Sequence, residues 1–500
     1  MLLLGAVLLV AVCGFVYELV IISLGTYLFG NSVLQVSIVL ASFVSSMGLG
    51  SLVSKWLLRR PVEAFVAVES VLALVGGSSA IVLYAAFAWV DIYNVALIIV
   101  SSAIGLLVGC EIPLLMTMLQ RIRPQHSGAS LADLLAADYL GAVVAGVVFP
   151  LMVLPSLGQI DAALAVGALN GSAGLLILWL LGAELPRRRR GWLLVPLLVA
   201  LAAIGLIASR AHAFEVSARQ ALYDDPIVKA TNSKYQQIVI TQSTEGDVRL
   251  FLDGDLQFSS IDEYRYHESL VHPAMAGPHS RVLVLGGGDG LAMREVLRYP
   301  DVKRAVEVEL DPKMINIARH DPRISKLNHG SLSSPRVQVI NADAFTWLRH
   351  QRERFDVVIA DFPDPDDAAV AKLYSVDFYA LLRASALAPG GRLVVQAGSP
   401  YFAQDAFWCI AKSVKAAGYA TTNYHVDVPS FGDWGFVLAQ RGTPPPLRLA
   451  PPQRLKFLDQ SELGAAATFP VDRRERAGVQ VSTLNKPILT DYERSAWKFY

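Results

Sequence analysis

Apolar and polar positions divide this chain into two unlike halves. Residues 1–210 are a succession of long apolar runs, near 3–27, 32–55, 63–88, 93–118, 136–155, 160–182 and 191–209. A bilayer core of about 30 Å needs about 20 apolar residues in a helix. The runs therefore predict a multi-pass α-helical membrane domain with about seven transmembrane helices in a lipid bilayer. The first run lacks a basic leading segment and is followed by further runs, so it reads as a retained helix and not a signal peptide. Small residues, as in Ser45-Ser46-Met47-Gly48-Leu49-Gly50, suit close helix packing in lipid.

The period then changes. Residues 211–230 read as a connector, and YQQIVITQ and VRLFLDGDLQF alternate as strands do, with Asp253-Gly254 marking a turn. Residues 211–275 are thus expected to hold a connector and a small antiparallel β-domain. Across 276–442, apolar strands at 281–286, 304–310, 336–341, 355–360 and 391–397 alternate with helical stretches near 291–299, 312–320, 343–350, 373–387 and 402–417. Two more strand candidates follow at 420–427 and 434–440. That order predicts an α/β domain, a Rossmann-like, mostly parallel sheet covered on both faces. Residues 443–500 read as a proline-rich linker and a tail without evident chemistry.

Composition sharpens the division. The chain is 53% hydrophobic and only 17% charged, below the quarter usual for soluble proteins. Lys plus Arg and Asp plus Glu both number 43, so charge implies no nucleic-acid partner. Cys13, Cys110 and Cys409 stand far apart, which argues against a zinc site or disulfide framework. Glu18, Glu69, Glu111 and Asp138 fall in or beside the apolar runs, where an ionisable group is costly and marks either function or packing.

The candidate chemistry sits after the strands, where ligands of such sheets bind. Gly286-Gly287-Gly288-Asp289-Gly290 follows the first strand, and its glycines admit close approach of a ligand. Glu309 ends the second strand, 21 residues after Gly288, where a carboxylate grips ribose hydroxyls. Asp343, before Ala344, ends the third and could meet an adenine amino group. The loop lacks a P-loop ending, and Asp289 would repel a pyrophosphate, so a cationic nucleoside fits better than NAD. After the fourth strand comes Asp361-Phe362-Pro363-Asp364-Pro365-Asp366-Asp367. An alkylammonium has a pKa near 10 and must lose a proton before it attacks carbon, which an aspartate can accept. Taken alone, the same residues also describe a glycine turn and a solvated acidic loop.

VLVLGGGDG, VELD, NADAF, DFPDP and LYSVDFY, in that order and spacing, resemble the spermidine synthase (polyamine aminopropyltransferase) family, as do Tyr235-Gln236-Gln237 and LDGDLQFSSIDEYRYHE upstream. The likeness covers roughly residues 230–440. With the apolar half and VPSFGDWGF (428–436), the chain is similar to the family's bacterial membrane-spanning branch. The resemblance implies a class I methyltransferase-type sheet and aminopropyl transfer from decarboxylated S-adenosylmethionine, as cosubstrate, to putrescine or a related diamine. By position it implies Asp361 as general base and Asp364 as amine ligand. It implies Asp289 for the aminopropyl ammonium, Gly286 and Gly288 for the nucleoside loop, Glu309 for ribose, and Asp343 and Ala344 for adenine. Gln236, Tyr266 and His267, with Gln257, would line the shared cleft, and Tyr374 the amine channel. A homodimer or larger assembly, with neither metal nor prosthetic group, is also implied.

Two departures bear on the acceptor. Phe362 and Pro363 stand where the family often has small hydroxyl residues, and Pro429-Ser430-Phe431-Gly432-Asp433 replaces a tyrosine-containing segment. Two rivals remain: an S-adenosylmethionine-dependent methyltransferase, and a polyamine transporter or sensor with a non-catalytic soluble half. The expected location is the bacterial inner membrane. Lys55, Arg59 and Arg60, then Arg121 and Arg123, then Arg187 to Arg190 follow the second, fourth and sixth runs. The positive-inside rule makes that side cytoplasmic. A seventh crossing would then carry the soluble half outside, whereas supply of the nucleoside favours the cytoplasm, and both sides stay open.

Overall fold

The computed structural model describes residues 2–29, 32–90, 92–122, 127–182, 185–450 and 454–496. Arg123, counted among the basic clusters, lies outside them. The chain forms two compact units, Met1–Asp224 and Asp225–Tyr500.

Among its described residues the first unit is built of helices joined by short turns: α1 (Leu2–Phe29), α2 (Ser32–Leu57), α3 (Pro61–Ala85), α4 (Tyr93–Ile122), α5 (Ser127–Val148), α6 (Leu154–Leu181) and α7 (Arg187–Gln220). By length and composition six stretches can cross a membrane, because Leu131–Leu181, 51 residues, runs through α5 and α6. At 1.5 Å per residue that stretch is about 75 Å long, and Gly158, with φ 73° and ψ −174°, breaks it. Small residues let backbones touch. A Cβ on Gly50 would lie 2.0 Å from the Leu106 carbonyl oxygen, and one on Gly109 2.1 Å from that of Met47, so α2 and α4 require glycine at their crossing.

The expected boundary at residue 210 is too early. α7 continues to Gln220 because Ala211, Phe214 and Ala218, spaced as one helical face, pack on the helical core while the other positions turn polar. Rising polarity looked like the end of the helix. The expected connector also contains a strand, β1 (Ile227–Asn232).

The second unit opens with that strand, then β2 (Gln237–Gln242), β3 (Val248–Leu252) and β4 (Asp255–Ser259), a four-stranded antiparallel sheet in sequence order. Asp253 (φ 51°) and Gly254 (φ 100°) make the β3–β4 turn, the left-handed pair a two-residue hairpin demands. Then follow α8 (Glu263–Met275), β5 (Arg281–Gly286), α9 (Leu291–Leu297), β6 (Arg304–Glu309), α10 (Pro312–His320), α11 (Pro322–Leu327), β7 (Val337–Asn341) and α12 (Ala344–His350). The order continues with β8 (Phe355–Asp361), α13 (Ala368–Ala371), α14 (Val376–Ser385), β9 (Leu387–Gln396), α15 (Gln404–Ala416), β10 (Ala420–Val428) and β11 (Gly432–Gln440). The seven-stranded sheet has the order β10-β11-β9-β8-β5-β6-β7. β5 to β9 pair in parallel, and β11 is antiparallel to both β9 and β10. This is a Rossmann-type, methyltransferase-like sheet.

Along β5, Val282 and Val284 enter one core layer and Leu283 and Leu285 the other, all fully buried. Strands covered on both faces therefore read as unbroken apolar runs, and each such side chain contributes about 1.5–3 kcal/mol of burial.

The expected linker and tail belong to this unit. Leu447, Leu449, Leu455 and Phe457 pack on one core layer, and Val479 and Leu489 are buried in the other. The buried Glu268 carboxylate accepts from the backbone N–H of Lys456, Phe457 and Leu458 at 2.7, 2.9 and 3.0 Å. Two more helices, α16 (Gln460–Ala466) and α17 (Leu489–Ala496), complete the chain's described residues. Sparse apolar anchors without a period carry no local signature, so this docking was not readable from the pattern.

Candidate active site

Five adjacent strand ends deliver the candidate residues to one edge of the sheet. β5 ends opposite β8 with Gly286 paired to Asp361. A Cβ on Gly286, at φ 79°, would lie 2.1 Å from the Asp361 carbonyl oxygen. A Cβ on Gly287, at φ 69°, would lie 3.0 Å from Asp361 Oδ2, so that oxygen faces the glycine loop. Gly288 is required for a different reason: its Cβ would sit 2.8 Å from the Glu309 carboxylate. The glycines therefore leave room for two acids as much as for a ligand.

On the β6 side, Glu309 accepts from Asp311 N at 2.8 Å. Burial pushes it up to about 7, helped by the charges of Asp311 and Asp289 and opposed by that hydrogen bond. Asp289 accepts from Leu291 N at 2.7 Å. Burial raises it to about 6 against the pull of His267. Gln236 donates to Asp311 at 3.2 Å, which brings the small sheet to this edge. Asp343 caps α12, accepting from Thr346 N at 2.8 Å, and its second oxygen pairs with Lys372 at 2.7 Å. Burial opposes ionisation there, but Lys372 and the cap hold Asp343 low. An adenine amino group would share Asp343 with a lysine that the sequence did not flag. Ala344 is buried behind it as the first residue of α12.

On the other side, Tyr266 Oη donates to Asp361 Oδ1 at 2.5 Å. Burial raises Asp361, while His267 and the tyrosine bond pull the other way. His267, adjacent on α8, has its Nδ1 2.7 Å from the Glu263 carbonyl and 3.0 Å from its carboxylate. Burial would lower the imidazole, but Glu263 wins and its pKa rises. Tyr374 is fully buried and donates to the carbonyls of Phe362 and Pro363 at 3.1 and 3.0 Å. Its hydroxyl braces the acidic loop, and it lies within electrostatic reach of Asp361 and Asp364. Gln396, at the end of β9, donates to the Phe362 carbonyl and to Tyr374 Oη at 2.6 Å each and to Asp364 Oδ1 at 3.3 Å. Sequence reasoning missed it, although it ends a strand as the flagged acids do. Asp364 is lifted to about 6, by burial first and by Asp366. Asp255, beside the β3–β4 turn, lies within electrostatic reach of Asp364 and Asp366. Gln257, expected to line the cleft, donates to the Asp255 carbonyl at 3.2 Å. The tip of the β10–β11 hairpin is tied down where Ser430 donates through N and Oγ to Asp262 at 2.7 and 2.8 Å, and Phe431 reaches the Tyr266 ring at 6.2 Å between centroids.

Asp289, Glu309, Asp361 and Asp364 are each half-buried, ringed by protein yet open to solvent. None owes its electrostatics to a lysine or arginine. Among the described residues no three His, Cys, Asp or Glu side chains converge as a metal site. Withdrawing anions from water without lysine or arginine partners is costly, and here four half-buried acids gather on one edge. Such an edge suits cationic ligands.

A methyltransferase-type sheet with carboxylates at the ends of β6 and β8 and after β5, none paired with a lysine or arginine, fits a nucleoside-dependent transferase acting on basic compounds. Comparison with known proteins narrows the class. The Spermine/spermidine synthase domain matches residues 263–446. Polyamine aminopropyltransferase 1 of Streptomyces coelicolor is 55% identical over 506 residues, 100% of this chain and 95% of that protein. The polyamine aminopropyltransferase of Mycobacterium tuberculosis is 47% identical over 511 residues, 99% and 96% of the two chains. The chain belongs to the polyamine aminopropyltransferase (spermidine synthase) family. Among solved structures it is similar to a spermidine synthase in complex with the transition-state analogue AdoDATO, at 26% identity and TM-score 0.45, over 49% of this chain and 85% of that one.

Proposed function

We propose that the chain transfers the aminopropyl group of decarboxylated S-adenosylmethionine to putrescine or a related alkane diamine, giving spermidine and methylthioadenosine. The observation that carries this reading is the set of four carboxylates, Asp289, Glu309, Asp361 and Asp364, at adjacent strand ends without lysine or arginine partners. Both substrates bring positive charge to four acids that no lysine or arginine neutralises.

Each residue then has a task. Glu309 holds the ribose, and Asp343, beside Ala344, receives the adenine amino group. The loop Gly286–Gly288 admits the nucleoside, Gln236 closes it from the small sheet, and Asp289 holds the ammonium of the aminopropyl arm. The acceptor nitrogen lies at Asp361, whose Oδ1 is held by Tyr266 and whose Oδ2 faces the glycine loop. Its lone pair forms a bond to the propyl carbon attached to sulfur. The carbon–sulfur bond breaks, its electron pair stays on sulfur, and the sulfonium becomes a neutral thioether. The nitrogen's proton passes to Asp361. No acid is needed for the leaving group, so catalysis consists of alignment and deprotonation. His267 steadies the acids electrostatically, and Tyr374 holds the loop that carries Asp364.

The test is product analysis of the detergent-purified full chain, given the decarboxylated nucleoside and a panel of diamines. Methylthioadenosine and an aminopropylated amine are expected. A methylated amine from intact S-adenosylmethionine, which carries an extra carboxylate into an acidic cleft, would replace the reading with a methyltransferase.

We also propose that α1–α7 lie in the cell membrane with the Lys55–Arg60 end cytoplasmic. Many large apolar side chains of this unit point outward, among them Leu140, Val143, Leu151, Trp179 and Trp192, which suits a hydrocarbon surrounding. Seven crossings and six put the second unit on opposite faces, and protease digestion of intact cells against inverted vesicles distinguishes them.

A further inference from the structure

The C-terminal segment reaches the acidic loop. Leu489, Thr490 and Glu493 form the buried face of α17, and Glu493 is 2% exposed. Its partner in the geometry is Gly398, just beyond β9, with φ +67°. The point where a Gly398 Cβ would stand is 3.7 Å from Asp364 Oδ1 and 3.8 Å from Glu493 Oε1, and no other side chain or distant backbone atom comes within 4 Å of it. Two carboxylates from segments 129 residues apart in sequence thus flank one open spot. Gln396 fixes Asp364 from the strand end before it, and its Oε1 accepts from Gly398 N at 2.9 Å, which holds the glycine turn open.

We propose that Glu493 and Asp364, across Gly398, form the subsite for the distal ammonium of the acceptor diamine. The inference rests on the aminopropyl-transfer reading and adds to it a specificity residue from a segment that reads as a featureless tail. One end of a diamine must be a free amine at Asp361, and the other stays protonated. A protonated end needs anions away from the base, and Asp364, three residues after Asp361 on a loop stiffened by Pro363 and Pro365, is met by Gln396 at the end of the neighbouring strand β9. Glu493 brings a second carboxylate to that spot, while Gly398 provides the room a side chain would remove. The consequence is selectivity: the subsite reads the second charge of the acceptor and is indifferent to an acceptor that has none.

The experiment compares 1,4-diaminobutane with 1-aminobutane as acceptors for the full chain in detergent. Glu493→Gln is expected to raise the KM for the diamine about 10- to 100-fold, the size of a lost charge-assisted hydrogen bond, with kcat little changed. The kcat/KM for the monoamine should stay where it was, and Glu493→Asp should recover part of the loss. Gly398→Ala, which puts a methyl group on the open spot, should likewise raise diamine KM and spare the monoamine. Affinity for methylthioadenosine serves as a control and should be unchanged in both. If either variant keeps the parent's diamine-to-monoamine ratio, or loses both acceptors and the nucleoside together, the subsite assignment is wrong. A parent chain that aminopropylates no amine would overturn the functional reading itself, a result distinct from either.

Discussion

Two groups of buried carboxylates in the second unit have opposite fates. Glu263 is bridged by both Nη atoms of Arg294 at 2.8 Å and faces His267. Glu295 meets Arg294, Arg298 and His272 at 2.8–2.9 Å. Burial alone would raise both, yet these partners hold Glu263 down at about 2 and lower Glu295 as well. Across α8, Asp289 and Asp364 stand at about 6 and Glu309 at about 7, because burial outweighs the pull of His267 on Asp289 and no lysine or arginine answers it at any of the three. The first group is a finished structural network. The second is unfinished until substrates arrive, and that difference, more than any single acid, marks the site.

The comparison can be tested from its strongest consequence downward. Asp361→Asn should cut kcat by about 10²–10⁴, the contribution of a positioned base, with nucleoside affinity retained; steady-state kinetics and a binding assay read both. Arg294→Ala removes the cation that Glu263 and Glu295 share, and should cost about 3–5 kcal/mol of stability in the second unit, seen in denaturant unfolding followed by fluorescence. Asp364→Asn is the counterpart: it should raise the thermal midpoint of the ligand-free chain while weakening diamine binding, and a fall in the midpoint would mean that Asp364 is structural.

pH separates the groups by sign. Asp289 and Asp364 have folded pKa values near 6, above the ordinary 3.8. Their contribution to stability is full below about 4 and is lost as pH rises through 6. Glu263, depressed to about 2 from 4.5, contributes above 4.5 and loses its contribution as pH falls toward 2. The ligand-free thermal midpoint should therefore decline between about pH 4 and 6, and saturating diamine with methylthioadenosine should flatten that decline. The smallest effect concerns Tyr266. Its bond to Asp361 favours the carboxylate, so Tyr266→Phe should move the acid limb of the kcat/KM profile to higher pH.

Much of the second unit was legible because its signals are local. Strands buried on both faces read as apolar runs, and a parallel sheet puts the residue after each strand on one edge, so Asp289, Glu309, Asp343 and Asp361 announced themselves by position. The register that sets Gly286 against Asp361 follows from the same order. What the acids touch was less legible. The bonds of Tyr374 to the carbonyls of Phe362 and Pro363 had no local signal, and Lys372 had no reason to be noticed beside Asp343.

By itself, then, the amino-acid order determined that apolar helices precede an α/β unit, and which strand ends carry carboxylates, since periodicity and chain neighbours encode both. Only the tertiary structure decided that α7 runs to Gln220, that β1 joins the small sheet, that Leu447, Leu449, Phe457 and Leu489 dock on the core, and that Glu493 comes to face Asp364. Those outcomes depend on contacts between residues far apart in sequence, where side-chain volume and unpaired charge choose among many partners and no local period records the choice.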